Sequence, residues 1–324
     1  MNHVRRREVL GCAACALALV APAWAQGRYP EKPVKFVVAF GAGGGPDIFA
    51  RALGNAMTSE LKQPIVVENR PGATGHLAGE HVARAAPDGY TLLVTASSAQ
   101  AVSLHLLKLN YKPAEDLVPV ALITTVPNVL VVHKDVPVHS VAELIAYCKA
   151  HPGKVSYGSY GLGSNYHLAG EMLASMAGLQ LVHVPYQSPQ VNTDLLANRI
   201  QLVLGNATEL EQHVKSGALR ALAVTSPTRA PEFPNLPTVA ETLPGFSVWS
   251  WAVLMAPART PREILLQLNA AARKAIARPE VLEVFARNRG APGKLDLAQT
   301  QEFVRVEQAR WEKVIRDANV PMLN

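Results

Sequence analysis

The stretch VPVALITTVPNVLVVH, Val118 to His133, decides the fold. It is apolar almost throughout, broken near its middle by Pro127 and Asn128, and far exceeds an ordinary strand of about five or six residues. The reading is two extended pieces that cross between two lobes, with Pro127-Asn128 near the hinge. On both sides of it apolar runs alternate with helical patterns, the signature of an α/β protein with largely parallel sheets. Upstream lie VKFVVAF (ending at Phe40), a helix from Pro46 to Leu61, PIVVEN, a helix through Ala85, YTLLVTA and a helix from Ala99 to Lys108. Downstream come a helix from Val141 to Ala150, then VSYGS, LVHVPY, IQLVLGN and LRALAV with helices between them. After a Pro-rich surface connection, Pro227 to Pro244, WSWAVLMA (Trp249 to Ala256) reads as the return strand. Two last helices, after Pro261 and around Thr300 to Ala318, are expected to pack back on the first lobe. One lobe is therefore discontinuous, residues 26–125 with 247–324; the other is residues 126–246.

The N-terminus reads as an export signal, residues 1–25. Arg5, Arg6 and Arg7 form its basic region, Val9 to Val20 its apolar region, and Ala23-Trp24-Ala25 the cleavage pattern. The apolar run is too short to span a bilayer, which takes roughly 20 residues. Twin-arginine and general secretory routes both fit, and the periplasm is the expected location. Removal of three Arg and one Glu takes the formal charge from +6 to +4. With no cationic run and aromatics at 6%, nucleic-acid binding has little support. Cys148 is the one cysteine left after cleavage, so no internal disulfide is expected, and its helical pattern makes it a small core residue.

Two glycine-rich loops carry the functional signal. GAGGGPD (Gly41, Ala42, Gly43, Gly44, Gly45, Pro46, Asp47) and the later GLGSNYH (Gly161, Gly163, Ser164, Asn165 and His167 among them) each follow an apolar strand and open a helix. Such loops point main-chain N–H groups outward at the positive end of a helix, a site for an anion. Neither contains Lys or Arg, so the charge of a carboxylate would be met by main-chain N–H groups, hydroxyls and amides. Further candidates at strand ends are Ser97, Ser98, Tyr186 and Asn206, with Asn128 at the hinge. Asp47 also suits pairing with Arg51 four residues on, and Ser164 and Asn165 suit helix capping. HLAGE occurs at His76 to Glu80 and again at His167 to Glu171, a hint of lobe pseudosymmetry.

Enzyme readings fare worse. GAGGGP imitates a dinucleotide fingerprint, with Glu68 at the next strand end, but Pro46 stands where close helix–strand packing wants Gly or Ala. No G-x-S-x-G elbow surrounds Ser159 or Ser164, and His76, Glu80 and His81 miss zinc spacing. The alternatives kept open are an exported nicotinamide-dependent oxidoreductase and an orphan receptor used for sensing.

GGGPDI, VVENRPGA (Val66 to Ala73), APDGYTLL (Ala86 to Leu93), GSNYHLAGE, HVPY, LRALAVTS and LMAPARTP occur in one order along the chain. In these motifs the sequence resembles the periplasmic receptors of tripartite tricarboxylate transporters, the Bug-type solute receptors. The resemblance implies a type II periplasmic-binding-protein fold, two α/β lobes joined by crossover strands with a ligand cleft between them. It implies no enzyme activity, no cofactor and no metal. A monomer would capture a small organic carboxylate (a di- or tricarboxylate, acidic amino acid or aromatic acid) and deliver it to membrane transport subunits. Carried onto this chain, the carboxylate-holding loops are Gly41 to Asp47 and Gly161 to His167. This sequence departs from the family at Pro46, where Thr or Ser is usual, and at Gly41-Ala42, where proline is frequent.

Overall fold

The computed structural model describes residues 29–186, 190–231, 233–318 and 320–323; the expected export signal lies outside them. Strand β1 (Val34–Val38) leads into α1 (Gly45–Leu61), followed by β2 (Ile65–Asn69), α2 (His76–Ala83) and β3 (Thr91–Ala96). β2, β1 and β3 lie side by side and parallel in that order. A four-residue helix, α3 (Pro113–Asp116), introduces β4 (Leu117–His133). Next come α4 (Val141–Ala150), β5 (Ser156–Ser159), α5 (Asn165–Ala177), β6 (Val182–Pro185), α6 (Gln190–Leu196), β7 (Leu202–Asn206), α7 (Ala207–Lys215) and β8 (Leu219–Val224). The chain returns in β9 (Trp249–Pro257) and continues through α8 (Arg262–Ile276), α9 (Pro279–Arg287), β10 (Ala291–Pro292) and α10 (Leu297–Asp317).

β4 corrects the expectation of two separate pieces: it is one strand of 17 residues. Its length is accommodated by a change of partners. From Leu117 to Pro127 it pairs antiparallel with β9, and from Asn128 onward with β7 and β8. Each half therefore pairs only within its own half-sheet, and register shifts at Pro119/Ala121 and Leu122/Thr124 bend the first half. The return connection crosses at the same level. Thr225 N–H donates to Asn128 O (2.9 Å) and Val248 N–H to Thr225 O (2.8 Å), just before Trp249 pairs with Pro127.

Alternate residues of a strand face opposite sides, and β4 uses both. Val129 and Val131 pack with Leu195 and Leu210 of α6 and α7, whereas Leu130 and Val132 pack with Leu168 of α5. That second layer continues to Leu93, Val253 and Trp311, so one apolar layer joins both halves through α5 and α10. The opposite face of the first half buries Phe36, Leu53, Met57 and Phe285 beneath α1, α8 and α9. Each such side chain contributes about 1.5–3 kcal/mol when fully removed from water. Cys148 is buried in the shared layer, and burial pushes its thiol up to about 11, as suits a packing residue.

Three local expectations change. The helix read from Ala99 to Lys108 is instead a π-turn, Ser98–Val102, followed by a 3-10 turn, Ser103–His105. Its serines compete with the backbone for hydrogen bonds and disfavour a regular helix. The C-terminal part holds three helices rather than two, because Pro279 starts α9 directly after α8, where a missing N–H costs nothing. Finally, the Pro-rich connection is not wholly superficial, since Val239 is fully buried in it.

β10 seats the turn after α9 against β4. A Cβ at Gly293 would lie 1.9 Å from Leu122 O, and Gly293 N–H donates to Ile123 O (3.0 Å). Gly293→Ala is therefore expected to lower stability by about 2–4 kcal/mol, read from urea unfolding, because backbone and not a flexible side chain blocks the methyl.

Candidate ligand-binding cleft

The two glycine loops are one turn built twice, 120 residues apart. Gly44 N–H donates to Gly41 O at 3.2 Å, and Ser164 N–H to Gly161 O at 3.2 Å. Gly43 and Gly163 follow with φ of 80° and 74°, a left-handed conformation that favours glycine. The N-cap residues then match closely, Gly44 at φ −72°, ψ 161° and Ser164 at φ −72°, ψ 157°. In both, the third helical side chain turns back to hold the loop. Gly43 N–H donates to Asp47 Oδ2 (2.9 Å), and Gly163 N–H to His167 Nδ1 (3.1 Å).

First-turn N–H groups find no carbonyl inside their own helix. In α1 these belong to Gly45 and Asp47, since Pro46 has none. In α5, Ser164 Oγ takes the His167 N–H (3.2 Å), which leaves Asn165 and Tyr166. Each helix thus presents two main-chain donors at its positive end. This alignment of α1 with α5 also disposes of the HLAGE repeat. The first copy opens α2 and the second lies in the first turn of α5, so the two are not equivalent positions of the fold.

Asp47 is consumed by its own loop. It is 2% exposed and accepts from Gly43 N–H, Asn69 Nδ2 (2.7 Å) and Arg51 Nε (3.0 Å). Burial pushes the carboxyl upward, but hydrogen bonds from Arg51, Gly43 and Asn69 outweigh it and hold its pKa below the ordinary value. Its carboxylate shapes the loop, and the group it can offer an anion is its N–H. Arg51 is engaged too, by Asp47 and by Asn69 Oδ1 (2.9 Å), so the neighbouring cation is already neutralised.

His167 plays the corresponding part in the second loop. Its ring stacks on His183 at 4.1 Å, and His183 Nε2 lies 2.7 Å from Ser159 Oγ at the end of β5. Burial pushes both imidazoles down to about 4, with His167 adding to the effect on His183. Both are therefore neutral near pH 7. Because Gly163 donates to Nδ1, the remaining proton of His167 belongs on Nε2, on the side of Glu171 (3.8 Å).

The loops meet through Ser97 and Asn165. Ala39 N–H donates to Val94 O (3.0 Å), which sets the first loop beside the end of β3, and Ser97 follows that strand. Asn165 Nδ2 donates to Ser97 Oγ (2.8 Å), joining the start of α5 to the first half. Asn165 Oδ1, Asn128 Nδ2 and Thr95 Oγ1 are buried without a hydrogen-bond partner, so bonding capacity gathers at this junction. Asn128 is fully buried on β4, directly opposite Asn206 of β7.

Other sequence candidates contribute less. Asn206 Oδ1 caps α7 through Thr208 N–H (2.9 Å), and its own N–H donates to Tyr166 OH (2.5 Å). The Tyr186 hydroxyl is tied to Asp194 Oδ2 (2.9 Å). Ser98 merely begins the π-turn. Sequence reasoning passed over Thr95 and Tyr166. It also missed Thr225, whose Oγ1 donates to Val248 O (2.5 Å) and fixes the crossing. Among the described residues, no group of three or more His, Cys, Asp or Glu is placed to hold a metal. Within the same residues no helix is long and apolar enough to cross a membrane.

Two α/β halves joined by paired crossing strands, with a helix N-terminus from each beside the junction, define a two-lobed solute receptor. Residues 49–320 match the family described as tripartite tricarboxylate transporter family receptor, and the chain belongs to it. It is 37% identical to Protein BugT of Bordetella pertussis, over 99% of this chain and 100% of that protein. The structure of R. palustris Rpa4515 with adipate matches with TM-score 0.77 and 34% identity, over 91% of this chain and 100% of that one. MatC (Rpa3494) from Rhodopseudomonas palustris with bound malate matches with TM-score 0.72 and 30% identity, over 89% and 100% of the two chains.

Proposed function

We propose that this chain is an exported, periplasmic receptor that captures a small carboxylate without transforming it and delivers it to tripartite transporter membrane subunits. Residues 26–125 with 247–324 form one lobe and residues 126–246 the other. The observation that carries this reading is the duplicated turn, which sets uncharged main-chain donors at the start of both α1 and α5. An open form would take the carboxylate on one lobe, and contacts from the other would shift the population toward closure. Related proteins solved with adipate and malate support a carboxylate as cargo. Gly45, Asp47, Asn165 and Tyr166 would supply N–H groups, with Ser97 and Asn128 adding side-chain polarity.

The test is a thermal-shift panel of mono-, di- and tricarboxylates, with NADH and NADPH included. A carboxylate present at about 100 times its Kd should stabilise the native state by about 2.7 kcal/mol, a shift of several degrees. Saturable stabilisation by a nicotinamide nucleotide, with none from any carboxylate, would replace this reading with the oxidoreductase.

A further inference from the structure

Helix α9 ends in a turn whose residue type is at odds with its backbone. Gly290 N–H donates to Phe285 O (2.8 Å) and Arg289 N–H to Ala286 O (3.1 Å), the paired bonds of a Schellman motif. That motif puts Arg289 in the left-handed region, φ 55°, where glycine is usual because a Cβ is disfavoured there. The adjacent glycine serves another need. A Cβ at Gly290 would lie 2.6 Å from Thr124 Oγ1 and 3.3 Å from Phe49 Cζ. An arginine thus holds a strained position that a helix end alone does not call for.

Its side chain supplies a reason. Arg289 Nε donates to Glu211 Oε2 (2.9 Å) and Nη2 to Glu211 Oε1 (2.6 Å), a bidentate fork, and its guanidinium carbon is 6.0 Å from the centre of the Phe233 ring. The two partners belong to opposite sides of the partner change in β4. Arg289 lies two residues before β10, whose Ala291 pairs with Thr125; Glu211 lies in α7, which follows Asn206 opposite Asn128. Among the described residues it is the one ion pair that joins the two halves. Other pairs close within one helix, as Arg287–Glu283 does, or within one half, as Arg278–Glu60 does. Glu211 is mostly buried, at 15% exposure, and Lys215 also reaches it (2.5 Å), so its charge is fixed in place.

We infer that Arg289 and Glu211 form a clasp between the lobes that favours closure and so sets ligand affinity, although neither residue touches the ligand. This rests on the receptor reading for its effect on affinity, but its effect on closure can be measured without ligand. A positioning residue of this kind acts on the open–closed equilibrium alone. Losing it lowers affinity by the factor by which the closed population falls.

Arg289→Gly separates the clasp from a structural role, because it removes the side chain while restoring the residue the turn prefers. Its melting temperature should be equal to or above that of the parent, while its affinity for the carboxylate selected by the panel falls about tenfold. Glu211→Gln should weaken affinity in the same way. Spin labels on Met176→Cys and Leu266→Cys, both exposed and one on each half, report the distance directly while buried Cys148 stays unlabelled. In ligand-free protein, Arg289→Gly should move that distribution toward longer distances. Unchanged affinity and unchanged distances in both single variants would overturn the proposal, as would a lower melting temperature with affinity intact. If the parent binds no carboxylate, the receptor reading fails, and the ligand-free distances alone decide the clasp.

Discussion

Asp47→Ala is expected to lose carboxylate binding by about 100-fold or more while remaining folded at 25 °C, although its stability falls by about 2–4 kcal/mol. The carboxylate is almost fully buried and satisfies Gly43 N–H, Asn69 Nδ2 and Arg51 together. Its removal leaves the Gly43 N–H without an acceptor beneath the loop and Asn69 Nδ2 with Phe40 O alone. Arg51 contributes less, because its side chain is 49% exposed and can turn to water. With Gly43 unanchored, Gly45 and Asp47 no longer present their N–H groups in a fixed array, and pre-organisation is where such a site gains its affinity. Titration calorimetry and urea unfolding give the two numbers. Parent-like affinity in a folded Asp47→Ala protein would remove the first loop from the site. Arg51→Ala is the control, with a small expected effect on both.

Acid should unfold the protein through its buried imidazoles well before its carboxylates. His76, His167 and His183 are each pushed from 6.5 down to about 4 by burial. Between those two values the unfolded chain binds protons at these sites that the folded chain refuses, so stability falls as the pH drops through the window. His76 and His167, at 3% and 4% exposure, would each account for up to about 3 kcal/mol across it. Below about pH 4 the depressed carboxyl of Asp47 adds a further loss in the same direction. The urea midpoint should be flat above pH 7, fall steeply between pH 6.5 and 4, and fall less in His76→Gln. A midpoint level down to pH 4 would show that these rings protonate without penalty. Ligand binding by the folded protein should hold through most of this window and weaken only as the pH approaches 4, where His167 itself protonates, since a protonated Nδ1 cannot accept from Gly163.

Much of the fold was legible because VKFVVAF and its counterparts announce buried parallel strands, and the glycines and Pro46 announce the helix starts beyond them. β4 was misjudged for a physical reason. Pro127-Asn128 did mark the place where the partners change, but length argues against a single strand only when the partners are the same throughout, and composition does not show that the chain stays extended across the change. The site was half legible. Spacing located both loops, yet it could not reveal that Asp47 and His167 occupy the same place in two copies of one turn, because a carboxylate and an imidazole share only the ability to accept. The side chain of Asn206 likewise looked free for a ligand, and capping, a local competitor, had claimed its oxygen. Arg289 gave no sign at all: its meaning depends on a residue 78 positions away.

The crossing strands form a hydrogen-bonded ribbon, with Trp249 on Pro127 and Thr225 on Asn128, rather than two loose tethers. Such a ribbon resists being stretched or sheared and yields most easily by torsion about its length. Movement between the halves should therefore be a wringing rotation with its own elastic return. Inserting one residue beside Asn128 would then do more harm than stiffening any loop, because it would put every side chain beyond it on the wrong face.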